Sequence, residues 1–417
     1  MRNATLLVAI VFFVLSGAIE GLVARHISPD FQNRLTILFS LFCGAGLTAY
    51  AAHKAPKQLL SALLAGWPLL AFGALAIVST LWSIIPQATI LSGFALTLVI
   101  LGTISTCALC DWRSMLRGIA LACFALGVLS VILIPFGGLM VDMHEGALRG
   151  PFSEKNRAGM IYAIGAIACG GVAFTSRRIR WLLPIPFFII LLFLSQSGTS
   201  TISCIIGLGA LAYGEILRGN PARLILGTWL GIIAGIGIFT LVTLNAETVL
   251  DLVGEDATFT GRNRIWPAVW SRVQDNLLFG YGYDTFWRGR NPDLDWLRYE
   301  VGFVVYNAHN GWLETMLAVG LPGVALLGWL VVRTGIAGLT GLYQINDPRR
   351  IAIPMISLIV MMSVTESAIG GPDGPSWLLM LLITTKAAMG EENSTPNTFS
   401  SLRKGIGLTR AKGNNLH

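Results

Sequence analysis

The feature that most constrains this chain is a series of twelve apolar segments, each long enough or nearly long enough to cross a lipid bilayer. Roughly 20 apolar residues in a helix span the hydrocarbon core, and a helix satisfies its own backbone hydrogen bonds there. We therefore predict an all-α integral membrane protein with about 12 transmembrane helices. The count is 10–12, because the seventh and eighth segments nearly touch and the last is short. The predicted spans are 4–23, 35–52, 59–81, 88–110, 115–136, 158–175, 181–195, 199–217, 223–244, 311–334, 351–369 and 376–389.

The composition agrees with this fold class. Hydrophobic residues make up 54% of the chain and charged residues 12%, about half the charged fraction of a typical soluble protein. A disordered chain and a water-soluble globule are both excluded.

The basic residues indicate how the chain is oriented. If the N-terminus is cytoplasmic, 18 of the 29 Lys and Arg residues fall on the cytoplasmic side. Nine of the other 11 lie in two long external loops, 137–157 and 245–310. Cytoplasmic loops of membrane proteins carry an excess of Lys and Arg, so we predict a multi-pass protein with both termini in the cytoplasm. The net charge of +7 then reflects orientation, and we expect no nucleic-acid partner.

This topology divides the chain into six regions. We predict N-terminal transmembrane helices in 1–136, a basic external loop in 137–157 and middle transmembrane helices in 158–244. A large external loop occupies 245–310, and C-terminal transmembrane helices occupy 311–389. The polar tail, 390–417, is expected to be cytoplasmic and disordered.

Ionisable residues inside the predicted spans are few. The acidic ones are Glu20, Glu215, Glu314 and Glu366, and all four lie near span ends. Intramembrane charges usually mark function, but no series of charges occupies a midplane, as an ion-coupled transporter would usually require. The pattern therefore weakens a transporter interpretation.

The first external loop concentrates cations next to the sixth span. Arg149, Lys155 and Arg157 surround Asn156 within nine residues. One interpretation is an interfacial collar that binds lipid phosphate. The other is an anion site, in which Arg side chains and the N-terminus of the following helix bind a phosphate. The spacing alone favours neither.

The second external loop is rich in aromatic residues. Twelve of them fall between 245 and 310: Phe259, Trp266, Trp270, Phe279, Tyr281, Tyr283, Phe286, Trp287, Trp296, Tyr299, Phe303 and Tyr306. Some are expected at the membrane interface. Flat aromatic faces also suit the C–H-rich faces of sugars, with polar groups at the rim for hydroxyls.

Within this loop the spacing predicts an amphipathic helix on the outer leaflet. Ile265, Val269 and Val273 fall on one face, as helical periodicity requires. Thr260 or Asn263 would cap its N-terminus. The polar stretch that follows ends at Asn307-Ala308-His309-Asn310-Gly311, directly before the tenth span.

His309 is the histidine that lies nearest these polar groups. A lone histidine is more often structural, but its ordinary pKa near 6.5 suits a general base at neutral pH. The external loops show no His, Cys, Asp and Glu cluster with metal-ligand spacing, so we expect no metal.

Three motifs on the predicted outer face carry a family resemblance. They are Arg149-Gly-Pro-Phe-Ser-Glu-Lys-Asn156, Thr260-Gly261-Arg262 followed by Trp266, and Ala308-His309-Asn310. With this topology, the chain resembles the O-antigen ligase and O-antigen polymerase superfamily, and in particular bacterial exopolysaccharide polymerases.

The resemblance implies a metal-independent glycosyltransferase of the bacterial inner membrane, with a periplasmic active site and no cofactor. The implied donor is a glycan on undecaprenyl diphosphate, and the acceptor is another glycan. Further implied partners are the lipid bilayer and other polysaccharide assembly and export proteins.

The resemblance also assigns roles to residues. His309 is expected to deprotonate the acceptor hydroxyl, and Arg262 and Arg149 to hold the diphosphate. Lys155, Asn156, Arg157, Arg264, Asn310 and Trp266 are the expected substrate-binding residues, with Asn156 and Asn310 orienting the catalytic groups.

One stretch departs from the family pattern. Many ligases carry a basic residue at the outer end of the seventh span, where this chain has Ser195-Gln196-Ser197-Gly198-Thr199. A third cation is then missing or is supplied by Lys155 or Arg264. We therefore favour a polymerase. The alternatives are an O-antigen ligase that attaches glycan to lipid A core, a flippase or transporter of lipid-linked oligosaccharide, and a non-catalytic assembly protein.

Overall fold

The structure is a computed structural model that describes residues 2–23, 38, 40–135, 146–244, 261–289, 291–344, 346–371 and 374–389. These residues are mostly helical. The helices are α1 (Arg2–Leu15), α2 (Ala18–Val23), α3 (Leu47–Lys54), α4 (Pro56–Ala65), α5 (Trp67–Val78), α6 (Pro86–Leu109), α7 (Trp112–Leu133), α8 (Lys155–Ser176), α9 (Pro184–Leu194), α10 (Gly198–Leu217), α11 (Pro221–Leu244), α12 (Arg262–Asp275), α13 (Pro292–Val301), α14 (Gly311–Tyr343), α15 (Ala352–Thr365) and α16 (Pro375–Met389).

The helices confirm an all-helical integral membrane protein. Each of the twelve predicted spans overlaps helical residues. In the described part of the chain, six helices are long and apolar enough to cross a membrane, or seven if the bent pair α4–α5 is counted as one span. Three apolar helices are shorter: Asn3–Leu15, Ile179–Leu194 and Pro375–Met389. Helix length therefore supports fewer crossings than the predicted 10–12, and the larger count stays a prediction.

Glycine and proline explain where the predicted spans are broken. The first span is interrupted at Gly17, whose φ of 80° is a left-handed conformation that glycine adopts without strain. The third span bends by 69° between Ala65 and Trp67. Pro68 follows this bend. It lacks the backbone N–H group that would continue the helical hydrogen bonds of α4.

Helix α8 is the centre of the bundle. Residues 158–173 are all buried, and α7, α9, α10, α15 and α16 pack around them. Small residues allow this close approach: a Cβ atom added at Gly159 would lie 2.7 Å from Ser200 Oγ, and one at Gly165 would lie 2.5 Å from Phe188. The N-terminal residues of α8, Lys155 and Asn156, are thereby held at one end of a rigid helix.

The segment 261–310, predicted to be external and called the external segment below, has a small hydrophobic core of its own. The predicted amphipathic helix is confirmed as α12, and its residues Ile265, Val269 and Val273 are buried against α13 and the start of α14. Its apolar face therefore packs on protein. Asn263 lies inside the helix and Gly261 is its N-cap, so the prediction of Asn263 as the cap is wrong, and Thr260 lies outside the described residues.

Helix α14 is interrupted where the external segment meets it. Gly320 has a non-helical backbone, with φ 67° and ψ −161°, and the loop after α12 pairs with the main chain there. The N–H group of Tyr281 donates to Leu317 O at 2.7 Å, and that of Leu321 donates to Leu277 O at 3.0 Å. Backbone hydrogen bonds thus join the external segment to the transmembrane helix.

The opposite end of the bundle carries a separate ion cluster. Arg350 Nε donates to Glu215 Oε1 at 2.7 Å, and Arg218 pairs with the other oxygen of Glu215 at 2.7 Å. Arg350 is buried, and Glu215 lies in the last turn of α10. About 18 residues of helix, or ~27 Å, separate this cluster from the first turn of α10. The predicted tail, 390–417, lies outside the described residues.

Candidate active site

A buried carboxylate, Glu366, joins three of the predicted polar groups at one end of the bundle. Its Oε1 atom accepts hydrogen bonds from Arg262 Nη2 at 2.6 Å and from Asn156 Nδ2 at 2.8 Å. Its Oε2 atom lies 3.5 Å from His309 Nδ1. Glu366 is 4% exposed and Arg262 is 5% exposed. The predicted residues Arg262, Asn156 and His309 are therefore brought together.

Four separate elements supply these side chains. Asn156 lies in the first turn of α8, and Arg262 is the first residue of α12 after a left-handed Gly261 with φ 88°. Glu366 follows α15, where the backbone becomes extended with φ −138° and ψ 154°. His309 lies in the loop before α14. Because these four residues lie far apart in the sequence, only the tertiary fold brings them together.

The loop that carries His309 is fixed by hydrogen bonds to its backbone. His309 has φ 46°, an uncommon left-handed conformation for a non-glycine residue. Its N–H group donates to Asn307 Oδ1 at 2.9 Å. Trp266 Nε1 donates to Ala308 O at 3.0 Å. Trp266, a predicted substrate-binding residue, therefore supports the loop of the predicted base.

Asn310 caps a helix. Its Oδ1 atom accepts the backbone N–H groups of Trp312 and Leu313 at 3.0 and 3.1 Å. This is the usual geometry of an N-cap asparagine. Asn310 was predicted to orient catalytic groups. Its observed contacts are with the first turn of α14.

A cavity of about 90 Å³ opens beside the imidazole of His309, with room for several water molecules. Most of its walls are polar. It is lined by Glu154, Asn156, Arg157, Met160, Asn307, His309, Glu366, Ser367, Ala368, Gly374, Pro375 and Ser376. The N-terminus of α8, the His309 loop and the ends of α15 and α16 thus surround one space.

Arg262 retains hydrogen-bonding capacity in this buried position. Among the described residues, its Nε and Nη1 atoms have no hydrogen-bond partner, although Nη2 is paired with Glu366. A buried guanidinium with unused donors is costly unless a polar group binds it. Arg262 does not line the cavity, so these two unpaired donors lie inside the protein next to Glu366.

The other predicted cations are distributed around the site. Arg149 is buried and its Nη1 atom donates to Ser153 O at 3.1 Å. Arg157 lines the cavity, and its guanidinium also lies against Gly17. Lys155 is half-buried, and Arg264 is exposed on the polar face of α12. Neither Lys155 nor Arg264 lines the cavity.

The stretch that lacks the expected basic residue lies next to Asn156. Ser197 Oγ donates to Asn156 Oδ1 at 3.0 Å, and Ser200 Oγ lies within hydrogen-bond distance of Ser197 Oγ, at 2.9 Å. The Ser197 hydroxyl also caps α10. At this position a neutral hydroxyl thus orients Asn156. The amide group of Asn156 in turn donates to Glu366.

Sequence reasoning gave no role to Glu366, the carboxylate at the centre of the site, nor to Glu154, Asn307 or Ser367 in the cavity wall. The signal for Glu366 was its position as one of four acids in the predicted spans. Its pairing with Arg262 across 104 residues could not be read from spacing. Among the described residues, no group of three or more His, Cys, Asp and Glu side chains could hold a metal ion.

Two comparisons with known proteins bear on this site. A model of the family described as O-antigen ligase matches residues 183–328, a segment that includes Arg262 and His309. The exopolysaccharide production protein ExoQ of Rhizobium meliloti (strain 1021) is 25% identical over 276 residues, which is 63% of this chain and 62% of the relative. The aligned part is thus a little under two thirds of the relative's length. Both findings confirm the predicted resemblance to the O-antigen ligase and polymerase superfamily.

Proposed function

We propose that this protein is a glycosyltransferase of the bacterial inner membrane that polymerises exopolysaccharide repeat units on the periplasmic side. The donor is a glycan on undecaprenyl diphosphate, and the acceptor is the sugar end of another lipid-linked unit. The observation that carries the proposal is the contact of His309 with the buried Glu366–Arg262 pair beside a polar cavity. The similarity to an exopolysaccharide production protein supports the polymerase type.

In this proposal His309 is the general base. Its Nδ1 atom faces Glu366, which leaves Nε2 for the acceptor hydroxyl. The carboxylate stabilises the imidazolium that forms when the proton is taken. Glu154 and Asn307 in the cavity wall offer acceptors and donors for neighbouring sugar hydroxyls.

Bond making and breaking balance without a general acid. The acceptor hydroxyl gives its proton to His309, and its oxygen forms a bond to the anomeric carbon. The bond from that carbon to the diphosphate oxygen breaks, and the electron pair leaves with the diphosphate. In this proposal the positive charges of Arg262 and Arg149 stabilise the developing negative charge of the diphosphate. Attack opposite the leaving group inverts the anomeric centre.

Exposed aromatic residues of the external segment provide a path for the growing glycan. Trp296 and Tyr299 on α13 are 55% and 80% exposed, and their ring centroids lie 5.8 Å apart with an interplanar angle of 34°. Two exposed rings at this angle form a nearly continuous surface for sugar C–H groups. The remaining predicted partners, the bilayer and other assembly and export proteins, belong to the same proposal.

A reconstituted elongation assay tests the proposal. The purified protein is supplied with lipid diphosphate-linked repeat units alone, and chain length is measured. We expect longer lipid-linked chains, and we expect His309→Ala to reduce the rate about 10²–10⁴-fold, the usual contribution of a general base. His53→Ala is the matched control, since His53 is exposed near the end of α3, and it should elongate chains normally. Wild-type elongation by His309→Ala would refute the proposed base.

The description of the matched family as O-antigen ligase supports the second candidate, an O-antigen ligase. It predicts no product from the donor alone and product formation once lipid A core is added. Movement of labelled lipid-linked sugar across a liposome membrane without a change in glycan length would instead indicate a flippase. A non-catalytic assembly protein would show neither activity.

A further inference from the structure

A second carboxylate, that of Glu314, holds the other side of the His309 loop. Glu314 Oε1 accepts the backbone N–H group of Ala308, the residue before His309. The same oxygen accepts a hydrogen bond from Ser367 Oγ at 3.3 Å. Trp287 Nε1 donates to Glu314 Oε2 at 2.8 Å. Both oxygens of Glu314 therefore bind groups from outside its own helix.

Glu314 contacts the chain neighbour of each member of the His309–Glu366 pair. Ala308 precedes His309, and Ser367 follows Glu366. Glu314 itself lies in the first turn of α14, where free N–H groups of the helix favour a negative side chain. One carboxylate thus links the loop of the predicted base to the segment that carries its buried partner.

The backbone of His309 needs such support. A left-handed φ of 46° costs a non-glycine residue of order 1–2 kcal/mol per residue and persists where surrounding contacts impose it. Three contacts do so here: Asn307 accepts the N–H of His309, Trp266 binds Ala308 O, and Glu314 binds Ala308 N–H. Of these three, the contact from Glu314 is a charge-assisted one, which is the stronger type.

We propose that Glu314 is a positioning residue that fixes the imidazole of His309 against Glu366. This inference rests on the proposed function of His309. Glu314 does not line the cavity and acts on the reaction through the backbone of Ala308 and through Ser367. Its loss therefore misaligns the base and leaves the donor site intact.

Glu314→Gln tests this role with a side chain of the same size. A glutamine has one oxygen, so its amide N–H₂ must face either Ala308 N–H or Trp287 Nε1, and two donors then oppose each other. We expect the kcat for elongation to fall 10- to 100-fold, with the KM for the lipid diphosphate-linked donor within twofold of wild type. Glu300→Gln, the same change on the exposed face of α13, is the matched control and should leave both constants unchanged.

A double variant separates positioning from general loss of structure. Trp287→Phe removes the indole N–H, so the amide of Glu314→Gln no longer faces a donor there. We expect the double variant to be at least as active as Glu314→Gln alone. A multiplicative loss in the double variant would overturn the inference, as would an unchanged kcat or a raised donor KM in Glu314→Gln.

The same assay distinguishes failure of the inference from failure of the proposed function. If His309→Ala is inactive and Glu314→Gln is fully active, the positioning role is wrong and the proposed function stands. If His309→Ala is fully active, His309 is not the base and the positioning role fails with it. If the wild-type protein does not elongate chains, the proposed function itself fails.

Discussion

Replacing Glu366 with glutamine should separate the electrostatic role of this residue from its shape. The substitution keeps the size of the side chain and one carbonyl oxygen for Arg262 and Asn156. It removes the negative charge 3.5 Å from His309 Nδ1. In the proposed reaction, this charge stabilises the imidazolium that forms when the acceptor hydroxyl is deprotonated.

The geometry sets the size of the effect. Two unit charges 3.5 Å apart attract each other by about 5 kcal/mol at an effective dielectric constant of ~20. The His309 side chain is 34% exposed, so solvent screens part of this attraction and leaves roughly half of it. A loss of about 2–3 kcal/mol in the transition state corresponds to a decrease in kcat of roughly 10²-fold.

Stability must be measured alongside activity, because Glu366→Gln also leaves the buried Arg262 without its acidic partner. Removing one member of a buried ion pair costs about 3–5 kcal/mol. Glu215→Gln is the matched control: it removes the acid that pairs with the buried Arg350 at 2.7 Å at the opposite end of the bundle. Both variants should unfold at lower temperature.

The assay is the initial rate of chain elongation per folded protein in detergent. We expect only Glu366→Gln to lose activity, by roughly 10²-fold. If Glu366→Gln and Glu215→Gln both elongate chains at nearly the wild-type rate, the assigned role of the Glu366 charge is wrong.

Two further predictions concern the glycan path and the loop between α6 and α7. Trp296→Ala should raise the KM for the glycan acceptor several-fold, because covering about 40 Å² of ring contributes roughly 1 kcal/mol; an unchanged KM would remove α13 from the path. Burial raises the pKa of Asp111, but hydrogen bonds from Ser114 outweigh this effect and hold its pKa below the ordinary value. The folded-state pKa is lowered, so Asp111 stabilises the protein above about pH 4. That contribution is lost as the pH falls through the lowered value. Asp111→Asn should cap α7 without this acid-dependent loss in thermal unfolding between pH 6 and pH 3, and an equal loss would contradict the assignment.

The sequence predicted the parts of the fold that depend on local pattern. The apolar segments gave an all-helical membrane protein, and helical periodicity placed the buried face of α12 at Ile265, Val269 and Val273. Helix breaks were harder to predict. The bend after Ala65 and the interruption at Gly320 depend on how neighbouring segments approach the helix, and a hydropathy pattern averages over such sites.

The candidate site was partly predictable for the same reason. Arg262, Asn156 and His309 were predicted because three motifs on the predicted outer face resemble those of a known family. Glu366 was visible only as an acid near the end of a span, since its contacts come from residues 57 to 210 positions away in the chain. Asn310 was predicted to orient the catalytic groups, and that role stays a prediction. Its side chain satisfies the first N–H groups of α14, as an N-cap asparagine does.

The main-chain junction between the external segment and α14 determines how this region tolerates sequence change. Its hydrogen bonds are made by peptide groups at Tyr281 and Leu321, so most side chains there can vary without breaking it. The exceptions are Gly280 and Gly320, where an added Cβ would lie 2.6 Å from Leu317 O and 2.3 Å from Leu278 O. Sequences that share this junction can therefore diverge widely around it while they keep two glycines about 40 residues apart.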